Sequence, residues 1–283
     1  MKLDTESDAK AFLKRIGKAQ DCEIDLCHSA LAFSCLYKSN YDVAPYLTHI
    51  EEISNELSVA HRRALDNGDE DTASLCHETI SHVLYDTFEY RGDDEDYNAL
   101  DNAHLQGVID RKKGLPVALG IIYMHVARDQ GWEVVGLNFP GHFVIRLTHK
   151  GVALLIDPFR EGAIMEASDL RNILKALAGQ AAELSHNYYE PVSDHEIIVR
   201  LQNNLKTRLI DLEKYQDALN VVEHTKLFVP YEYRLLFDSA MLKVKTGQIR
   251  SAQDDVLDYI DLADPAEKQI GEQLLSEIRR QMN

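Results

Sequence analysis

The chain has 283 residues, 45% apolar and 27% charged, with a formal net charge of −17. That length suits one large domain or two ordinary ones with a sizeable core. The acidic balance argues against nucleic acid and against an anionic membrane surface, since both need clustered cations. It leaves neutral or basic partners.

No stretch approaches the ~18 consecutive apolar residues of a membrane span. The opening MKLDTESDAKAF lacks the apolar run of a signal peptide, so a cytoplasmic location is expected. The cysteines are Cys22, Cys27, Cys35 and Cys76, with no CxxC pair. They read as free thiols packed as small apolar residues. The dipeptides Cys27-His28 and Cys76-His77 are poor chelators, because adjacent helical side chains diverge. No metal and no cofactor is expected.

The first ninety residues read as helices. Ala11, Phe12 and Ile16 mark a short one that Ser7-Asp8 could cap. Ile24, Leu26, Leu31, Phe33, Leu36 and Tyr37 mark a second. Pro45 opens a third, which carries Leu47, Ile50, Ile53, Leu57 and Ala60 and stops at Asn67-Gly68. A fourth runs from Asp71 through Leu75, Ile80, Val83, Leu84 and Phe88. Residues 92–101, GDDEDYNALD, read as a solvated acidic loop. A helical face with Leu105, Val108 and Ile109 follows and stops at Gly114. Pro116 starts the next helix at its favoured first position, and Gly131 ends it.

Three strands are then expected, at Glu133–Leu137, Phe143–Thr148 and Val152–Asp157. His142 opens the second and Asp157 closes the third. A two-residue loop at His149-Lys150 sets His142 opposite Asp157, and one at Lys150-Gly151 sets Val144 there. Paired residues and their i+2 neighbours share a face, so either register puts His142 and Asp157 on one side. An Asp beside a His is an orienting pair, in catalysis or as a structural ion pair. Cysteine nucleophiles of papain-like folds open the helix that precedes such strands. Here Val117, Ala118 and Leu119 stand there, with no thiol or hydroxyl.

Beyond residue 190 the pattern is helical and repeats. Ala218 and Ala252 lie 34 positions apart, with Pro230 and Asp264-Pro265 closing two units. That period is the one of tetratricopeptide helix pairs. Two such units cannot cover their own faces. The tail is therefore expected to pack on the preceding domain, with a last capping helix at Ala266–Met282. The expected division is a helical layer and α+β domain over 1–189, then the helical tail over 190–283.

Three segments together resemble a known family. They are Asn102-x-x-Leu105-x-x-Val108-Ile109-Asp110-Arg111-x-x-Gly114-Leu115-Pro116, then Pro140-Gly141-His142-Phe143-x-x-Arg146, then Ile156-Asp157-Pro158-Phe159. The combination resembles the bacterial SirB-type regulator-like family, across roughly residues 30–283. The resemblance implies an α+β core of papain/transglutaminase type followed by a tetratricopeptide-type tail. It aligns His142 and Asp157 with the superfamily's His and acid, as a remnant dyad. It aligns Ala118 with the nucleophile, where many relatives carry Ser. Asn102, Arg111 and Asn138 are candidate binding residues.

Two functions follow as expectations. One is a non-catalytic adaptor or regulator that binds a protein or peptide through a degenerate groove and the tail. The other is a hydrolase or acyl transferase in which His142 and Asp157 activate water or an unrecognised nucleophile.

Overall fold

The computed structural model describes residues 3, 5–37 and 42–282. Six helices come first: α1 (Glu6–Ile16), α2 (Leu26–Cys35), α3 (Ala44–Asp66), α4 (Ala73–Ser81), α5 (Leu105–Arg111) and α6 (Pro116–Asp129). Thr5, rather than Ser7-Asp8, caps α1 by accepting from the Asp8 N–H at 3.1 Å. Asp25 and Thr72 cap α2 and α4 in the same way. Pro45 and Pro116 stand in the first turns of α3 and α6. The fourth expected helix changes winding. Beyond Ser81 it continues as a π-helical stretch, His82–Thr87.

Two-residue strands β1 (Arg91–Gly92), where the acidic loop starts, and β2 (Lys113–Gly114), just after α5, pair in parallel. The main sheet is antiparallel, in the order β3 (Glu133–Gly136), β4 (Ile145–His149), β5 (Val152–Asp157) and β6 (Ala163–Ile164). His149 pairs with Val152, so Lys150-Gly151 is the hairpin turn. Both residues have positive φ, 48° and 81°, as the tight right-twisting hairpin turn requires. The register carried one step past Ile145–Ile156 sets Val144 opposite Asp157. The second expected strand is shorter than its sequence suggests. His142 and Phe143 lie outside β4, in a bend after Gly141, whose φ is 72°.

Helix α7 (Ala167–Ala178) lies in a stretch given no element from the sequence. Its signal was nonetheless present. Leu170, Ile173, Leu174 and Leu177 recur at helical spacing, and Leu170 and Leu174 are buried. Five further helices complete the chain: α8 (Asp194–Asp211), α9 (Tyr215–Phe228), α10 (Arg234–Lys245), α11 (Ile249–Leu262) and α12 (Pro265–Met282). Ala218 and Ala252, the repeat alanines, are both fully buried, on α9 and α11. No helix among the described residues is long and apolar enough to cross a membrane.

Helix α6 is the centre of the molecule. Eleven of its residues are buried, so it has almost no solvent face. The helical C-terminal region joins the same core through α8. Ile197, Ile198, Leu201 and Leu205 are each at most 3% exposed within it. A clamp reinforces this seam. The Arg128 guanidinium of α6 donates to both Asp194 oxygens, at 2.5 and 3.0 Å, and to the Val134 carbonyl. Two smaller clusters stand apart from this core, one of Leu137, Phe139, Val144, Met165, Leu170 and Leu174, and one on α10–α12 around Ala240, Ala252, Val256 and Ile278.

Two outcomes follow. Burying an aliphatic side chain is worth about 1.5–3 kcal/mol, so the four on α8 supply about 6–12 kcal/mol, comparable to a whole domain's stability. A chain ending at residue 189 is expected to aggregate or to melt without cooperativity, checked by calorimetry and light scattering. The second outcome concerns acid. Asp25 is held by His28 Nδ1 at 2.8 Å and His125 Nδ1 at 3.4 Å. Burial raises its carboxyl, but these histidines pull it far below the ordinary carboxylate range. Its stabilisation is therefore complete above the unfolded carboxyl value, near pH 4, and lost as pH falls below it. In urea titrations, Asp25→Asn should lose less stability than the native chain on going from neutral to pH ~3.

Candidate functional site

Asp157 is wholly buried at the end of β5. One oxygen, Oδ1, accepts the Phe159 N–H at 2.9 Å and caps the short turn Pro158–Arg160. The other, Oδ2, faces His142 Nε2 at 2.9 Å, with Arg160 Nε 3.8 Å away. The His142–Asp157 approach is close but poorly aligned, so neither atom has a well-directed hydrogen bond. It is an ion-pair contact when the ring is protonated, and a loose orienting contact otherwise. The ring is 16% exposed, at the edge of a cleft.

That cleft holds about 40 Å³ and is lined by Tyr97, Leu115, Pro116, Val117, Gly141, His142, Phe143, Arg200 and Asn204. A space of this size admits a water or one small group. The first turn of α6 lines it through Pro116 and Val117, while Ala118, the position aligned with the nucleophile, is fully buried in the core. Gly120 brings the helix close to the His142 loop. A Cβ at that position would stand 2.5 Å from Phe143 Cε1 and 3.4 Å from Pro158 Cγ.

Three cleft residues were missed in the sequence: Arg200, Tyr97 and Asn204. Arg200, on α8, donates through Nη2 to the His142 carbonyl at 2.7 Å and to the Phe139 carbonyl at 3.4 Å. Its guanidinium lies 5.4 Å from the centre of the Phe143 ring. Burial lowers its pKa, and no carboxylate within ion-pair reach is found among the described residues. Nothing in the local pattern around Arg200 separates it from an ordinary helix surface position. Tyr97 was legible only as the one aromatic residue in an acidic run. Arg208 holds it, donating to its carbonyl at 3.0 Å and packing over its ring at 5.4 Å.

The three binding candidates lie elsewhere. Asn102 is fully buried; its amide donates to the Asp96 carbonyl at 2.7 Å and the Tyr97 carbonyl at 3.4 Å, and its oxygen accepts from Arg111. Arg111 also reaches Asp93 at 3.3 Å, and Asp93 is only 3% exposed. The acidic loop is therefore strapped down from inside rather than loosely solvated. Asn102 and Arg111 act on the cleft only by fixing the loop that carries Tyr97. Asn138 is exposed, and its backbone N–H donates to the Glu190 carbonyl at 3.0 Å. None of the three lines the cleft.

The cysteines lie away from it as well. Cys35 Sγ is 3.9 Å from the Leu3 carbonyl, and Cys27 Sγ is 3.9 Å from the Ile121 carbonyl. Burial pushes the Cys35 and Cys76 thiols up to about 12 and also raises Cys27. Such thiols carry little thiolate at neutral pH and are poor nucleophiles. Cys22 is exposed, outside the cleft.

The structure thus brings a helix start, a His loop and a strand-end Asp together. The family model for the transglutaminase-like superfamily matches residues 44–203. The chain belongs to that superfamily. A UPF0162 protein of Xylella fastidiosa is 27% identical over 186 residues, 65% of this chain and 66% of the relative. A UPF0162 protein of Vibrio cholerae is 30% identical over 161 residues, 56% of this chain and 59% of the relative. The chain thus spans about two thirds or less of these bacterial relatives. F-box only protein 21 of Homo sapiens is 27% identical over 183 residues, 60% of this chain but 28% of that longer protein.

The Gly120 contact gives a test of the geometry. Overpacking a tight seam costs about 1–3 kcal/mol. Gly120→Ala should lose that much in urea denaturation, and the His142 ring resonances should shift with it. Asp157→Ala removes a cap and leaves a half-buried imidazole unpaired, for a loss of about 1–3 kcal/mol.

Proposed function

We propose that this chain is a transglutaminase-like protein that forms no covalent acyl intermediate and acts as a binding protein, an adaptor or regulator. One observation carries the reading. The cleft beside His142 is lined with no thiol and no aliphatic hydroxyl, and Val117 and Ala118 occupy the helix start where this chemistry needs its nucleophile. The first turn of a helix is the right place for one, because its positive end favours a thiolate. The chain keeps that turn, the His and the acid, and lacks only the attacking atom.

The reading extends to the tail. The 34-residue spacing and the buried Ala218 and Ala252 support tetratricopeptide-like helix pairs, which present a concave face to a protein or peptide. The resemblance to the SirB-type regulator-like family points the same way. The F-box relative supports it too, since a matching segment there occupies only part of a longer protein. Partners of neutral or basic character suit the net charge of −17, and a cytoplasmic location suits the free thiols. The competing hydrolase reading rests on the His142–Asp157 contact at 2.9 Å and a cleft large enough for one water.

Covalent probes separate the two. The native chain should give no adduct at the cleft with thiol- or hydroxyl-directed reagents and no turnover of amide or ester substrates. Val117→Cys should create a thiol that iodoacetamide alkylates below pH ~8, faster than the native cysteines. His142→Ala should raise that thiol's apparent pKa again. Ala118→Cys, directed into the core, should react more slowly. Turnover by the native chain that is lost in His142→Ala would overturn the binding reading.

A further inference from the structure

A second cluster of ligand-type side chains lies behind the sheet, away from the cleft. His61 comes from the last turns of α3, Asp71 from the connection to α4, and Cys76 from α4 itself. One donor atom from each lies within 4.8 Å of the other two. His61 Nε2 is 3.5 Å from Asp71 Oδ1. It is also buried and without a hydrogen-bond partner. Trp132 covers the imidazole edge-on, with ring centres 4.9 Å apart. Cys76 is fully buried and aimed at the same spot.

We infer that His61, Asp71 and Cys76 form a binding site for a zinc-type divalent cation. A tetrahedral zinc ion with bonds of about 2.0–2.3 Å sets its donors roughly 3.3–3.8 Å apart. The His61–Asp71 pair already has that separation, and the Cys76 edges need to close by at most about an ångström. A thiolate, an imidazole and a carboxylate together favour zinc over magnesium or calcium, which take oxygen ligands. His149, at the end of β4, donates through Nε2 to Asp71 Oδ1 at 2.9 Å. It serves as the outer partner that orients the carboxylate. Lys150 Nζ holds the other oxygen, Oδ2, at 2.8 Å from a side chain that is 61% exposed, so it is free to swing away.

Three protein ligands leave a fourth position for water, the open arrangement of an exchangeable site. On binding, the Cys76 thiol releases its proton to solvent and the sulfur donates its electron pair to the cation. The bound ion ties α3, α4 and the β4–β5 hairpin together. The site was hidden in the sequence because Cys76 invites pairing with its neighbour His77. That ring instead contacts the Tyr123 hydroxyl at 3.3 Å.

The test uses the full chain, stripped with chelator and titrated with Co2+, whose absorption reports its ligands. The expected result is equimolar binding with a thiolate-to-cobalt charge-transfer band and the intense visible bands of tetrahedral coordination. Zn2+ should displace it and raise the melting temperature. Cys76→Ser should abolish the charge-transfer band, and His149→Ala should weaken binding about 10–100-fold. Asp71 is partly exposed, so Asp71→Asn should fold normally and bind at least tenfold more weakly. The inference is overturned if the native chain shows no charge-transfer band. It is equally overturned if the band survives Cys76→Ser, which would put the ion on exposed Cys22, or if Asp71→Asn keeps the native affinity.

Discussion

Helix α6 has almost no wet side, and the remaining elements are placed as they are because it must be covered. An apolar helix of fourteen residues left in water would forfeit most of the hydrophobic stabilisation available to a chain this size. The long helix α3 and helix α2 cover one flank, the sheet and the turn after Asp157 cover another, and α8 closes the last. The cleft lies beside its first turn, where Leu115, Pro116 and Val117 line it. There the N–H groups of a helix start need partners that apolar neighbours do not supply.

That constraint ties the site to the C-terminal region. Arg200 and Asn204 are cleft residues, and both belong to α8. Arg208, one turn on, fixes Tyr97 from the opposite wall. Asn102, Arg111 and Asp93 hold the same loop from beneath. The cleft is thus framed by residues far apart in sequence, several of them held by part-buried polar contacts. Unpaired, those buried groups would each cost about 1–3 kcal/mol.

Much of this was legible beforehand. Local signals gave the proline helix starts and the hairpin, while the cap of α1 fell on Thr5 and not on Ser7-Asp8. The period-two rule set His142 and Asp157 on one face only for a two-residue turn, and Lys150-Gly151 is such a turn; one residue more would have separated them. Other features were illegible for physical reasons. The shortening of β4 depends on Gly141 adopting a left-handed conformation, which a Pro-Gly pair permits but does not demand. Asn102 and Arg111 look like binding residues in sequence because polar residues beside a motif usually do. Only the fold reveals that each is the other's partner. Arg200 carries no local mark at all, since its role comes from contacts with residues some sixty positions away.

Helix α8 also separates what can be recognised from what can fold. The similarity to the superfamily ends at residue 203, in the middle of that helix. A protein cut there would keep Arg200 but lose Asn204, Leu205, Arg208 and Leu209. It would lose one wall of the cleft, the hydrogen bond that steadies Tyr97, and two side chains of the core. The smallest piece that can carry an intact cleft therefore reaches at least to residue 211, where α8 ends. The frontier drawn by kinship and the frontier drawn by cohesion do not coincide in this chain.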